Sequence, residues 1–548
     1  MIKKFLNEKN EKLNIKDYIT IFIILLIYGI LSFMNLGSFE NPQSFYSFKN
    51  GDVIIFELEK YDDINHMMIF NGHNNSKYQV YTSMDNKDYT YINEIEGSGA
   101  FAWDKKELLE KAKYIRFNFL NGSTLGEVAF YNDNGEYINI KSIKNNSKIL
   151  NKKLYDEKEI IPKQISYMNS TYFDEIYFAR TAYEYAHNIK TYEWTHPPLG
   201  KILQMIPIVI TNHFSPFTYR FMGNVSGILM ILVMYLFGKE LFKYRKYSIL
   251  SSLILSLDTF HFAHTRMGTV DSHLVLFILL AAYFMYKFIK SGKSRYLFLS
   301  GLLFALSISV KWTGFYGGLG FAIIYFIYMF KNKKFNCEYI VKGSMFFIVI
   351  PLIIYCSIYL LFPNNLLYTN NLKNIEIEQK EMYLYHSKLN EDHPYSSKWY
   401  TWPFSYKPVW YHQKIYNDKI KESISGVGNL FIWLFSIFGF IYTFFKCIFE
   451  KDKKSLFLII MFLSLWLPYM FIGRVMFLYH YFPALLFIML CLVNLLKDIN
   501  DKIKCKIVIP IFILLSFIFF IIYYPVVSGI PTKSSYIDRL ELFNSWIF

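Results

Sequence analysis

Cysteine is scarce: the 548 residues hold five, Cys337, Cys356, Cys447, Cys491 and Cys505. All lie in or beside apolar blocks or short basic loops with no Cys-x-x-Cys spacing, so neither a disulfide framework nor a thiolate metal site is indicated. Charge is scarce too, at 18% of residues against 53% hydrophobic and 20% aromatic, too little for a soluble protein of this length. No internal repeat or low-complexity tract is visible. No small-residue cleavage site follows the first apolar block, Tyr18 to Leu36, which reads as a retained span rather than a signal peptide.

What the chain does have is apolar blocks of about twenty residues, the length that crosses about 30 Å of hydrocarbon. They predict eleven membrane helices, near 18–36, 217–238, 247–264, 270–289, 296–312, 314–330, 343–362, 427–445, 455–472, 475–495 and 506–524. With the N-terminus inside, the inner segments carry 25 Lys and Arg, whereas the three short outer turns carry only Arg266, Lys311 and Arg474. Basic residues are retained on the cytoplasmic side, so this topology accounts for the net charge of +15 and no nucleic-acid partner is implied.

The chain thus divides into a cytoplasmic tail with the first span (1–44), an extracytoplasmic β-sandwich (45–150), an outer loop (151–216), spans two to seven (217–362), an aromatic-rich outer loop (363–426), spans eight to eleven (427–524) and an outer tail (525–548). The sandwich is read from the alternating runs DVIIFELEKY, KYQVYTSMDNKDYTYI, KYIRFNF and LGEVAFYNDNGEYINI, broken by the turn signals MDNKD and NDNG. This pattern resembles the galactose-binding-like jelly roll. Carbohydrate binding and a plain packing role both stand, with the strand aromatics better suited to core than to sugar platforms.

Chemistry concentrates after the insert, in FDEIYFARTAYEYAHNIKTYEWTHPPLGKIL from Phe173. Asp174 and Glu175 are a carboxylate pair at a helix start, where acids also serve as ordinary caps. Further motifs follow in order: YRFMG (Tyr219 to Gly223), TRMGTVDSH (Thr265 to His273), SVKWTG (Ser309 to Gly314), YHSKLNEDHPYSSKWYTWP (Tyr385 to Pro403), FLYHYFPALLF (Phe477 to Phe487) and YYPVVSG (Tyr523 to Gly529).

With THPPLGK (Thr195 to Lys201), these strings resemble the protein O-mannosyltransferases, multi-pass membrane enzymes of the GT-C glycosyltransferase fold. The resemblance covers the first span and then Phe173 to Trp546. It implies inverting transfer of mannose, or a similar hexose, from a polyprenyl-phosphate carrier to Ser or Thr hydroxyls of an acceptor protein. Asp174 is the implied base, paired with Glu175. No cofactor or metal is required, because a phosphate leaves already ionised and needs only positive charge nearby. The outer loop between spans seven and eight is too short for the large repeat domain of eukaryotic members, which points to the bacterial type.

Arg220 is the family-matched cation for the phosphate. Arg266, Lys201, Lys311 and Arg474 also sit at outer helix ends, where a charge is either an interfacial anchor or part of a phosphate cradle. Glu193, His196 and Asp271 are substrate-side candidates, with His196 shaping the Pro197-Pro198 loop and Asp271 placed to pair with Arg266. His386, His393, Trp399, Trp402 and His480 make the aromatic-rich face a candidate sugar or peptide platform, or an interfacial belt. His386, His393, His412 and His480 lack a metal-ligand spacing. Two other readings remain: a GT-C transferase acting on lipid or cell-wall polymer, and a non-catalytic lipid-linked-sugar transporter or carbohydrate receptor.

Overall fold

The computed structural model describes residues 13–145, 148–363, 372–389 and 393–548. The basic tail residues Lys3, Lys4, Lys9 and Lys12, and Asn390 to Asp392 of the aromatic-rich motif, lie outside the described residues. The chain forms two compact units. One contains the segment ending at Asn35, Ile189–Gln204 and Arg220–Phe548; the other contains Leu36–Asn188 and Met205–Tyr219.

The first unit is mainly helical, with one small sheet of Val409–Asn417, Ile420–Gly426 and Thr532–Lys533. Among the described residues nine helices are long and apolar enough to cross a membrane: Ile15–Phe33, Pro216–Phe242, Asp271–Ser291, Gly314–Lys331, Cys337–Leu361, Leu430–Phe449, Lys453–Phe471, Leu478–Asp501 and Val508–Ser528. Leu199–Thr211 and Ser294–Val310 are shorter apolar helices. The protein is therefore a multi-pass membrane protein.

Two details depart from the block reading. The stretch expected as one span at 247–264 is two helices, Arg245–Ser256 and Thr259–Thr265, because buried Asp258 accepts from the His261 backbone N–H at 3.0 Å and starts a new helix. Its other oxygen takes Asn429 N at 3.1 Å and Trp433 Nε1 at 2.7 Å, so the break is tied into the packing. Leu199–Thr211, expected as loop, is an apolar helix of 13 residues, too short for a twenty-residue window.

The second unit is built on antiparallel strands β1 (Tyr46–Phe48), β2 (Val53–Asn71), β3 (Lys77–Ser83), β4 (Thr90–Glu96), β5 (Trp103–Phe119), β6 (Ser123–Asn132), β7 (Tyr137–Ile138), β8 (Ile140–Asn145) and β9 (Lys148–Ile149). The order is β1-β6-β2-β5-β3-β4, with β7 on β6 and β8 and β9 beyond β2. Midway, β2 changes partner: Ile54 to Leu58 pair with β8, and Ile64 to Asn71 pair with β6. A register shift in the β2–β5 ladder, between Glu57 and Asp62, falls between these halves and lets the sheet bend. It thereby closes over one core containing Ile54, Phe56, Met67, Phe117, Phe130 and Ile143. The strand aromatics Phe56, Tyr78, Phe117, Phe119 and Phe130 are core residues. The MDNKD and NDNG signals fall in the β3–β4 and β6–β7 turns, where Gly135 takes φ +74°.

Candidate active site

In the strand-bearing unit, the acidic pair opens the helix Glu175–Ala186. Phe173, just before it, holds a left-handed backbone at φ +50°, a strained conformation for an aromatic residue. Asp174 occupies the N-cap position, yet its side chain does not cap the helix. Glu175 does the local holding: it is fully buried and accepts the Tyr172 backbone N–H at 3.2 Å. The two acids of one pair are thus separated in role by geometry, with Asp174 turned away from the ordinary capping duty.

In the helical unit, Pro197 and Pro198 end the preceding loop and start the helix at Leu199, placing Lys201 in its first turn. Lys201 Nζ, with no solvent exposure, donates to Glu193 Oε2 at 2.7 Å and to the carbonyls of Glu193 and His196 at 2.8 and 2.9 Å. Glu193 Oε1 takes His196 Nδ1 at 3.0 Å and the Thr195 hydroxyl. Burial alone pushes the Glu193 carboxyl up, but Lys201 and His196 outweigh it and hold it well below the usual range. Burial pulls His196 below its ordinary value, against the pull of Glu193.

His386, on the helix Leu372–Lys388, reads out its own tautomer. Nε2 faces the Thr195 carbonyl at 2.8 Å and donates to it; Nδ1 faces Arg474 Nη1 at 2.8 Å and accepts from it. Burial, then His196 and Arg474, pull its pKa down to about 4, so the ring is neutral. Arg474 is half-buried, and among the described residues no carboxylate lies within ion-pair distance of it. Among the described residues its charge is held by a neutral ring rather than cancelled by an acid.

Three other expected cations are committed elsewhere. Lys201 is neutralised by Glu193. Lys311 Nζ pairs with Asp271 Oδ1 at 2.9 Å, so Asp271 does not pair with Arg266 as anticipated. Arg266 instead donates to the carbonyls of Ser32, Met34 and Asn35 at 3.0, 2.8 and 2.8 Å and to Val527 and Ser528 at 3.5 and 3.3 Å. It clamps the C-terminal ends of Ile15–Phe33 and Val508–Ser528, where orphan carbonyls and helix dipoles favour a cation. That occupies its guanidinium and takes it out of a phosphate cradle.

Arg220 is fully buried on the helix Pro216–Phe242. One turn on, Gly223 and Gly227 let this helix approach Thr265 and Met267 closely: a Cβ on Gly227 would lie 2.5 Å from Thr265 Oγ1. Around this contact sit residues that sequence reasoning missed. Gln204 and Asn224 are fully buried, and among the described residues neither their amide nitrogens nor their oxygens have a hydrogen-bond partner; the same holds for Thr269 Oγ1, Ser272 Oγ and His273 Nε2. Buried polar groups in apolar helices are costly unless water or a ligand satisfies them. Their polarity inside apolar blocks was the available signal.

The aromatic face divides. Trp402 is fully buried, donating to Ser397 Oγ at 3.0 Å and stacking on His480, whose Nδ1 is held at the Phe477 backbone. Neither is a sugar platform; they pack the outer loop. Trp399 is half-buried against Trp466, and His393 is exposed beside Phe477. Among the described residues, His386, His393, His412 and His480 gather into no three-ligand group.

A cleft of about 810 Å³ runs between Ser294–Val310, Gly314–Lys331 and Cys337–Leu361, lined by Phe304, Ile308, Phe315, Phe347 and Pro351. Trp312, Tyr355 and Gln379 also line it, and Tyr355 bonds both others. The Trp312 ring lies 6.2 Å from His386, the residue that holds Arg474. The cleft lining is therefore connected through Trp312 and His386 to Arg474, which among the described residues has no carboxylate partner.

Comparison with known proteins agrees with this architecture. Residues 195–360 match the family described as dolichyl-phosphate-mannose-protein mannosyltransferase, and residues 371–546 match the C-terminal four-transmembrane region of protein-O-mannosyltransferase. The chain is 21% identical over 400 residues to the polyprenol-phosphate-mannose–protein mannosyltransferase of Mycolicibacterium smegmatis, covering 60% of this chain and 77% of that one. It is 25% identical over 198 residues to dolichyl-phosphate-mannose–protein mannosyltransferase 4 of Saccharomyces cerevisiae, covering 31% and 26%. In fold it is similar to the S. cerevisiae protein O-mannosyltransferase Pmt1–Pmt2 complex bound to the sugar donor, with TM-score 0.61 and 14% identity over 69% of this chain and 89% of that one. With its helical membrane unit, its ordered outer motifs and these matches, the chain belongs to the protein O-mannosyltransferase family and has the GT-C fold.

Proposed function

We propose that this protein transfers mannose from a polyprenyl-phosphate carrier to Ser or Thr hydroxyls of proteins, inverting the sugar carbon, at the outer face of the cell membrane. The observation that carries this reading is the apolar cleft whose lining residue Trp312 neighbours His386, the partner of Arg474, an arrangement that fits a donor with a long hydrocarbon tail and an anionic head. The family's relatives, named for polyprenyl- and dolichyl-phosphate mannose, support it.

Asp174 takes the proton of the attacking hydroxyl, whose oxygen then bonds to the sugar carbon as the carbon–phosphate-oxygen bond breaks. The electron pair leaves with the phosphate, and Arg220 and Arg474 hold the anion. No cofactor enters this sequence, since the leaving group needs no protonation. Glu193, Lys201 and His196 fix the loop before Leu199, and Asp271 with Lys311 fixes the next outer turn. Lys and Arg retention places the N-terminus inside and the motif-bearing loops and C-terminus outside.

The test is transfer by purified protein from radiolabelled polyprenyl-phosphate mannose to a Ser/Thr-rich peptide. Label in the peptide is the expected result. Label appearing only in lipid or polymer would overturn the protein acceptor, and no transfer at all would overturn the enzyme reading.

A further inference from the structure

Three carboxylates, none of them assigned a role above, converge in the strand-bearing unit. Glu127, on β6, is fully buried; Asp156 is exposed and Glu157 half-buried. One oxygen of each lies within 4.8 Å of the others. Among the described residues no Lys or Arg is within ion-pair distance of any of them. Three acids this close, with no cation, repel one another, and a buried carboxylate left so is strongly unfavourable.

A second observation points to what completes the group. Among the described residues Glu127 Oε1 has no hydrogen-bond partner, although Oε2 accepts the Glu157 backbone N–H at 3.2 Å. A buried carboxylate oxygen without a partner, on a side chain that joins a cluster of carboxylates, needs an electropositive neighbour.

The surroundings orient the remaining oxygens. The Glu157 carboxylate is fixed by the backbone N–H groups of Gln43 and Ser44 at 3.1 and 3.2 Å, and Ser44 Oγ reaches Asp156 Oδ1 at 3.2 Å. Val128 N donates to the Leu154 carbonyl at 2.7 Å, bringing the 154–157 segment alongside β6. Oxygen ligands about 2.3–2.6 Å from a central Ca²⁺ lie up to about 5 Å apart, which these separations satisfy, and the exposed side leaves room for water ligands.

We infer that Glu127, Asp156 and Glu157 bind a divalent hard cation, Ca²⁺ by ligand type and spacing. Residues 43–44 lead into the first strand and 154–157 follow the last, so the ion joins the entry and exit of the strand-bearing insert to β6. It is a structural clamp at the base of the insert, independent of sugar transfer.

The full-length protein in detergent tests this directly. Lys152 and Lys153 are exposed on the segment that the ion would pin. Trypsin cleavage there, followed by mass spectrometry, should slow several-fold in 1–2 mM Ca²⁺, a concentration chosen from about the range of extracellular sites, relative to EGTA. Tyr137 and Tyr155, close enough to couple to Glu127 or Asp156, should sensitise Tb³⁺ luminescence that Ca²⁺ displaces. Glu127→Gln, and separately the exposed Asp156→Asn, should abolish protection and luminescence together. Unchanged cleavage with and without Ca²⁺ in the unmodified protein, or protection that survives in Asp156→Asn, would overturn the site. Peptide mannosylation is measured in parallel, so failure of the clamp and failure of the enzyme reading are told apart.

Discussion

Lys201 Nζ lies 2.7 Å from Glu193 Oε2 across the Pro197–Pro198 corner, and both side chains are buried. Removing one partner of a buried pair leaves an uncompensated charge, at a cost of about 3–5 kcal/mol. Lys201→Met should therefore lower the melting temperature sharply. The double variant Glu193→Gln/Lys201→Met should recover part of that loss, as a double-mutant cycle of thermal unfolding would measure.

Asp174→Asn should keep the fold and reduce peptide mannosylation by about 10²-fold or more, the usual scale for losing a general base. Glu175→Gln should act differently, through stability, because Glu175 is buried and holds the Tyr172 N–H. Transfer rate per folded molecule, with melting temperature measured alongside, separates the two.

Arg266→Lys should destabilise the protein, since an ammonium cannot span the five carbonyls that the guanidinium reaches at two helix ends. Donor KM of the folded fraction should stay unchanged. A raised donor KM at unchanged melting temperature would restore the phosphate role expected from the sequence.

Arg474→Met should raise donor KM roughly 10–100-fold, the worth of a hydrogen bond to a charged group. Ala322→Phe, which narrows the apolar cleft, should raise KM for long-chain carriers and spare short-chain analogues. Steady-state kinetics with carriers of two lengths checks both.

His386 is neutral because burial, His196 and Arg474 depress it from 6.5 to about 4. The unfolded chain binds this proton more readily, so the stability contributed by neutral His386 is full above pH 6.5 and is lost as pH falls through about 4. Thermal unfolding from pH 8 to pH 4 should show that loss, and His386→Asn, which cannot titrate, should reduce its slope.

Much of this was legible in residue order. Blocks of apolar residues reveal spans because the bilayer demands about twenty of them in a row, and alternation reveals strands because side chains of a sheet change face at every residue. The motifs from Phe173 to Gly529 identified the family, and the isolated cations marked which residues to follow. Block length could not reveal the 13-residue helix Leu199–Thr211 or the break at Asp258, since the first is too short and the second depends on Asn429 and Trp433, more than 170 residues away.

The sequence by itself determined membrane class, the strand-bearing insert and the list of charged candidates, all of them properties of local pattern. Only the tertiary structure decided what each charge does. Lys201, Lys311 and Arg266 look alike at outer helix ends, yet two are cancelled by Glu193 and Asp271 and the third clamps two helix termini. Among the described residues the charge of Arg474 is left uncancelled, because its partner is a neutral ring. Electrostatic interaction depends on distance and on the surrounding dielectric, and those are set by partners that lie far apart in the chain and meet only when it folds.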